Sequence, residues 1–167
     1  MIMINTGEGK GKTTAAVGQT LRALGTGKPV SFCQFMKRLG VGGEQEMLAK
    51  LLGDEFTAMG AGFYRGSDKD KHLKACEQAL AWCRDRLDQR VFLLVMDEVL
   101  YALGHGLVLD EELLSLLDLA DENGVHVLLT GRGVPGWLHE RADLVTEMKA
   151  IKHPYDQGVQ AMEGIEF

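Results

Sequence analysis

The sequence predicts an α/β fold, a mostly parallel sheet flanked by helices, and three observations carry that expectation. Short apolar runs alternate with amphipathic stretches along the chain, the pattern of parallel strands joined by crossover helices. Two of these runs, Val91 to Met96 and Val125 to Leu129, are apolar almost without interruption, as strands buried on both faces require. The first run, Met1 to Ile4, passes into Thr6-Gly7-Glu8-Gly9-Lys10-Gly11-Lys12-Thr13-Thr14, a glycine-rich turn that opens a helix.

That opening segment reads as a strand running into a phosphate-binding loop. Gly7, Gly9 and Gly11 lack the Cβ atoms that would stop backbone N–H groups from turning inward to form an anion cradle. Lys12 adds a mobile positive charge, and Thr13 offers a hydroxyl to a Mg²⁺ carried by the phosphates. The helix starting there points its partial positive end at the same place. The usual pattern places glycine where Thr6 stands. Val17, Leu21 and Leu24 then recur at helical spacing, and Gly25 and Gly27 end the helix.

Val30 to Met36 is the next strand, followed after Gly40, Gly42 and Gly43 by a short helix over Glu44 to Leu52. From Asp68 to Asp88, Leu73, Cys76, Leu80, Cys83 and Leu87 form a helical stripe, which gives both cysteines a packing role. Val91 to Met96 ends in Asp97-Glu98. A further helix has Asp110, Glu111 and Glu112 in its first turn and Leu109, Leu113, Leu116, Leu117 and Ala120 on its stripe. Asn123-Gly124 closes it. Val125 to Leu129 ends in Thr130-Gly131-Arg132-Gly133. Asp143 to Met148 is a last strand before an irregular tail containing Lys152-His153-Pro154-Tyr155. No internal repeat or linker interrupts the pattern, so residues 1–167 read as one domain.

Composition narrows the function. With 167 residues, 46% of them hydrophobic and 25% charged, the chain can bury one substantial core. A net charge of −6 argues against general binding to nucleic acid or a membrane surface, which needs an excess of Lys and Arg. No apolar stretch approaches the roughly 20 residues of a membrane span, and no secretory leader is evident. A cytoplasmic location is expected. Cys33, Cys76 and Cys83 do not make a disulfide framework.

In an open parallel sheet, ligands bind outside the carboxyl ends of the strands, so Asp97-Glu98 should lie beside the phosphate loop. Two carboxylates there can hold Mg²⁺ directly or through water. Arg132 falls on the same edge and can bind a phosphate, neutralise the acidic pair, or serve the fold alone. His72, His105, His126 and His139 have no partner at metal-ligand spacing and read as surface or edge residues. His153 lies in an irregular segment of the kind that often carries function.

Taken together, these residues resemble the ATP:cob(I)alamin adenosyltransferases that also act on cob(I)yrinic acid a,c-diamide, the phosphate-loop corrinoid adenosyltransferases. The likeness covers essentially the whole chain. It runs through the loop from Thr6 to Thr14, Gln34-Phe35-Met36-Lys37, Gly62-Phe63 and Met96-Asp97-Glu98-Val99-Leu100-Tyr101. It continues through Thr130-Gly131-Arg132-Gly133, Ala142-Asp143-Leu144-Val145, Lys152-His153-Pro154-Tyr155-Asp156 and Gly164-Ile165-Glu166-Phe167. Thr6 is usual in this family, so its departure from the general loop pattern supports the resemblance.

The resemblance implies a RecA-like fold of the phosphate-loop nucleoside triphosphate hydrolase type. It implies attack by the Co(I) of a reduced corrinoid on the 5′ carbon of ATP, with triphosphate leaving intact. ATP would be held by Thr6, Gly7, Glu8, Gly9, Lys10, Gly11, Lys12, Thr13 and Thr14 with Arg132. Mg²⁺ or Mn²⁺ would be held through Thr13 with Asp97 and Glu98, and Lys12, Thr13 and Glu98 would serve catalysis. Phe63, Tyr64 and Arg65 would face the corrinoid. A homodimer, a flavoprotein reductant and a place in cobalamin biosynthesis are implied as well. Cobalt supplies the nucleophile, so the protein needs no catalytic Ser, Cys or general base.

Members commonly carry Gly-Phe-x-Trp in the corrin-facing segment, whereas the match here reads Gly62-Phe63-Tyr64-Arg65. They also commonly have an N-terminal extension that helps cover the corrinoid, and this sequence begins almost at its first strand. Two alternatives stand beside the transferase reading. One is a phosphate-loop NTPase or kinase acting at the γ-phosphate. The other is a regulator that binds nucleotide or corrinoid without catalysis.

Overall fold

The computed structural model describes residues 1–66 and 68–166; Phe167, which ends the tail motif, lies outside the described residues. Its strands are β1 (Ile2–Thr6), β2 (Val30–Gln34), β3 (Phe56–Ala58), β4 (Leu93–Asp97), β5 (His126–Thr130) and β6 (Leu144–Glu147). They form one sheet in the order β3-β2-β4-β5-β1-β6, and every pairing is parallel. The expected sheet is therefore present, with parallel pairing throughout its strands.

The helices are α1 (Lys12–Leu24), α2 (Gly43–Leu52), α3 (Lys69–Asp88), α4 (Val99–Gly104), α5 (Asp110–Asn123) and α6 (Gly136–Arg141). Alternation along the strands divides the core in two. Leu94 and Met96 of β4 pack with Ile4, Leu129 and the inward residues of α3 and α5. Leu93 and Val95 face the other way, against Ala16 and Ala23 of α1 and Leu48 of α2. Each fully buried leucine contributes about 1.5–3 kcal/mol relative to exposure, so both faces of β4 hold the sheet to its helices.

Three expectations need correction. The fully buried face of α1 is Lys12, Ala16, Thr20 and Ala23; Val17 and Leu24 of the expected stripe are partly buried against the same core cluster, while Leu21 turns outward and is 49% exposed. Small side chains face the sheet there because the helix that carries the phosphate loop packs close to it. Leu109 precedes α5 and is half exposed, while Leu113, Leu116, Leu117 and Ala120 are buried as expected. The Leu109 N–H instead donates to the Glu112 carboxylate at 2.8 Å, which holds the helix start. Finally, His72 is buried rather than at the surface, because it lies on the same inward face of α3 as Cys76, Ala79 and Cys83.

Candidate functional site

The carboxyl ends of β1, β2, β4 and β5 meet at one edge of the sheet, and the loop between β1 and α1 lies across it. Gly11 has φ 118°, a left-handed conformation that favours glycine. Gly9 is required for a different reason from the one expected: a Cβ there would stand 2.7 Å from the Met148 carbonyl oxygen and 2.8 Å from Lys149 backbone carbon. The Gly9 N–H donates to that Met148 oxygen at 2.7 Å, so the chain leaving β6 braces the loop from outside. Lys12 is buried and donates 2.8 Å hydrogen bonds to the Gly7 and Gly9 carbonyls. Burial and the Arg132 charge lower its pKa, while Glu98, Glu8 and Asp97 oppose that shift.

Asp97, the last residue of β4, is fully buried and accepts hydrogen bonds from three directions. The Thr13 hydroxyl donates to it at 3.0 Å, the Thr130 hydroxyl at 2.7 Å and the Gln34 amide at 3.0 Å. The donors are fixed in their orientation. Thr130 accepts the Glu98 N–H at 2.9 Å, so its own hydrogen is directed to Asp97. Gln45 accepts the N–H groups of Gly40 and Val41, which turns its amide nitrogen toward the Gln34 oxygen at 2.7 Å and the Gln34 nitrogen toward Asp97. Lys37 lies 3.7 Å from Asp97 and 2.7 Å from Glu44.

Glu98 adopts φ 61° and ψ 19°, left-handed backbone that is costly for a residue with a side chain. The turn departs from the direction of β4 and leaves Glu98 on the wall of a cavity of about 380 Å³. Burial first, and the Asp97 charge second, push the Glu98 carboxyl above the usual range, against Lys12, Lys37 and Arg132. The same cavity is lined by Lys10, Gly11, Lys12, Thr13 and Thr14, by Val17, Lys37, Gly43 and Glu44, and by Gly164, Ile165 and Glu166 of the tail. It is a recess with three lysines on its wall and the N-terminus of α1 at its base.

The structure thus brings together Lys10 to Thr14, Asp97 and Glu98. Thr6 to Gly9 form the outer limb of the loop rather than the cavity wall. Arg132 pairs with Glu8 on that limb, so the two exposed side chains neutralise each other. Lys37, Glu44, Gln34 and Thr130 were not singled out as site residues. Lys37, Gln34 and Thr130 lie at or just beyond the ends of buried parallel strands, and that position is the signal that identifies them.

The segment after β3 forms a separate feature on this edge. Phe63 is 91% exposed and Arg65 is exposed, whereas Tyr64 turns inward and packs against the core. None of the three lines the cavity among the described residues.

The sequence pattern of the family described as ATP:corrinoid adenosyltransferase BtuR/CobO/CobP matches residues 1–167. The chain belongs to this family. A corrinoid adenosyltransferase of Sinorhizobium sp is 36% identical over 171 residues, covering 100% of this chain and 80% of the relative. The Escherichia coli K12 corrinoid adenosyltransferase is 34% identical and that of Salmonella typhimurium, CobA, 36%, each over 169 residues, 100% of this chain and 85% of theirs. Among solved structures, the KaiC-like protein of Pyrococcus horikoshii OT3 superposes with a TM-score of 0.50 at 20% identity, covering 90% of this chain and 72% of that one. That likeness concerns the fold, and it agrees with the RecA-like expectation. Of the segments that carry the resemblance, Lys10 to Thr14 and Glu98 line the cavity here, and Asp97 stands behind them bonded to Thr13.

Proposed function

We propose that this chain transfers the 5′-deoxyadenosyl group of ATP to the cobalt of a reduced corrinoid and releases triphosphate. The observation that carries the reading is the cavity in which Lys10, Lys12 and Lys37 surround the phosphate loop next to Glu98, within a chain of the corrinoid adenosyltransferase family. In the reaction, the Co(I) electron pair forms the bond to the 5′ carbon, and the bond from that carbon to the triphosphate oxygen breaks. The leaving group takes that pair as added negative charge. The protein's task is to hold the triphosphate and to stabilise that charge with pre-placed donors. The lysines and the loop N–H groups serve this role.

The donor set suits a hard divalent cation, Mg²⁺ or Mn²⁺. Thr13 and the buried Asp97 present hydroxyl and carboxylate oxygens to each other, with the Glu98 carboxylate on the wall, and phosphate and water would complete the shell. Among the described residues no three or more His, Cys, Asp and Glu side chains form a cage of their own, which fits an ion that arrives with its nucleotide. When bound, such an ion would neutralise charge on the triphosphate oxygens. The corrinoid would meet the exposed Phe63, with Arg65 beside it. A homodimer, a flavoprotein reductant, a role in cobalamin biosynthesis and a cytoplasmic location complete the proposal. No helix among the described residues is long and apolar enough to cross a membrane.

An anaerobic assay with ATP, Mg²⁺ and chemically reduced cobalamin tests this reading. Adenosylated corrinoid and triphosphate should appear in equal amounts. ADP as the product would place the chemistry at the γ-phosphate, and binding of both ligands without turnover would make the chain a regulator; either result overturns the proposal.

A further inference from the structure

The segment Gly60 to Arg65 is held by contacts that the nucleotide site does not use. The Arg38 guanidinium donates to the Ala61 carbonyl at 2.7 Å. Beyond Phe63, the Tyr64 ring meets His72 edge to face at a centroid distance of 5.1 Å and His105 at 5.6 Å. Tyr101 stacks on His105 at a centroid distance of 4.1 Å, with 23° between the ring planes. The His105 Nδ1 lies 2.9 Å from the Tyr101 carbonyl oxygen; a carbonyl only accepts, so Nδ1 carries the hydrogen and the ring orientation is fixed.

His72 is the unusual member. It is 1% exposed, and its Nε2 has no hydrogen-bond partner among the described residues, although the Asp68 carboxylate lies 3.5 Å away. A buried imidazole left in this state weighs against folding. What its position provides is an edge-to-face ring contact with Tyr64. Helix α4 gives the cluster a further relation to the site, because Glu98 precedes its first turn and Tyr101 and His105 lie at its middle and end.

We infer that Tyr64 is the anchor of the acceptor loop and that His72 and His105 are its positioning residues, fixing Phe63 toward the corrinoid at a set distance from the nucleotide cavity. The inference rests on the corrinoid reading proposed above. With Tyr64 docked inward, the backbone at Phe63 is tied to the core while the residue is 91% exposed, an arrangement that offers an apolar side chain to a large planar substrate. Arg65 continues the loop outward, so the family's usual second aromatic is absent from the surface while a different aromatic holds the loop from within.

Trypsin provides a test that does not depend on turnover, since Arg65 is exposed and precedes Gly66. Tyr64→Ala removes both ring contacts and should speed cleavage after Arg65 about tenfold, and His105→Ala by a smaller factor. Tyr64→Phe should restore the wild-type cleavage rate. In the anaerobic assay, Tyr64→Ala should raise KM for the reduced corrinoid about tenfold with little change in KM for ATP. If Tyr64→Ala folds poorly, the exposed His105→Ala variant carries the same comparison. Cleavage at the wild-type rate in both alanine variants would overturn the anchor. A loosened loop with unchanged corrinoid KM would overturn its role toward the acceptor. A wild type inert toward reduced corrinoid, with the loop nevertheless released by Tyr64→Ala, would instead remove the functional reading on which the inference stands.

Discussion

Asp97 and Glu98 are neighbours in sequence, yet the geometry gives them opposite relations to stability. Three oriented donors converge on Asp97. An amide at that position turns N–H groups toward a hydrogen-bond donor, and the Thr130 hydroxyl cannot rotate away because it is committed to the Glu98 N–H. Asp97→Asn should therefore cost about 1–3 kcal/mol and lower the melting temperature as well as activity. Glu98 differs. Burial and the Asp97 charge push its carboxyl up, so at neutral pH the ionised form opposes folding, and stability from this group falls as pH rises through that raised value. Glu98→Gln should leave the melting temperature unchanged or higher at pH 7 while turnover falls. Thermal melts and anaerobic turnover of both variants decide, and equal stability losses would sink the distinction. The two carboxylates were legible in the sequence as a pair at a strand end. Their division was not, because the three donors come from α1, β2 and β5 and meet Asp97 only through space.

The same limit appears among the secondary elements. Strands β4 and β5 and helices α3 and α5 were legible because each carries a long periodic or uninterrupted apolar pattern. Strand β3 has three residues, too few for a period, and α4 has six residues, Val-Leu-Tyr-Ala-Leu-Gly, with no polar face to mark them as a helix. Helix α6 also has only six residues. Helix α2 was legible, but its attachment was not. Gln45 bonds Gln34, and Lys37 pairs with Glu44 in the first turn. Burial pushes the Glu44 carboxyl up, and Lys37 and Gln34 outweigh it, holding it below the usual glutamate range. A carboxyl held low contributes stability above its unfolded pKa and loses it as pH falls through the folded value. Glu44→Gln should therefore be less stable than wild type by about 0.5–1 kcal/mol at pH 7, and the gap should close on acidification toward pH ~3. Urea midpoints across that range measure it. A gap that stays constant with pH would mean that Glu44 acts through packing or the helix end instead of its charge.

At the scale of the whole molecule, the three cysteines report how the sheet and its helices come apart. Cys33 on β2 and Cys76 and Cys83 on α3 are at most 1% exposed and belong to one core cluster. Burial raises the Cys33 thiol well above its usual range, with Cys83 next in effect, and burial pushes Cys76 up to about 11. None of the three has the access needed for reaction in the folded state, and the raised values leave Cys33 and Cys76 without thiolate. A disulfide reagent at pH 8 should therefore modify them only through openings that separate α3 from the sheet. Because α3 packs against both β2 and β4, which also carry Gln34 and Asp97 of the candidate site, such an opening should disrupt the cavity too. On the proposed function, ATP with Mg²⁺ would bind only the intact cavity, so by mass action a concentration of 100 times Kd should stabilise the closed form by about 2.7 kcal/mol and slow labelling about 100-fold. Mass spectrometry should find the three thiols modified with a common rate constant, slowed together. Faster reaction at Cys76 alone, unaffected by nucleotide, would show that the start of α3 opens independently and would limit the cooperative unit to the sheet and the rest of the helix.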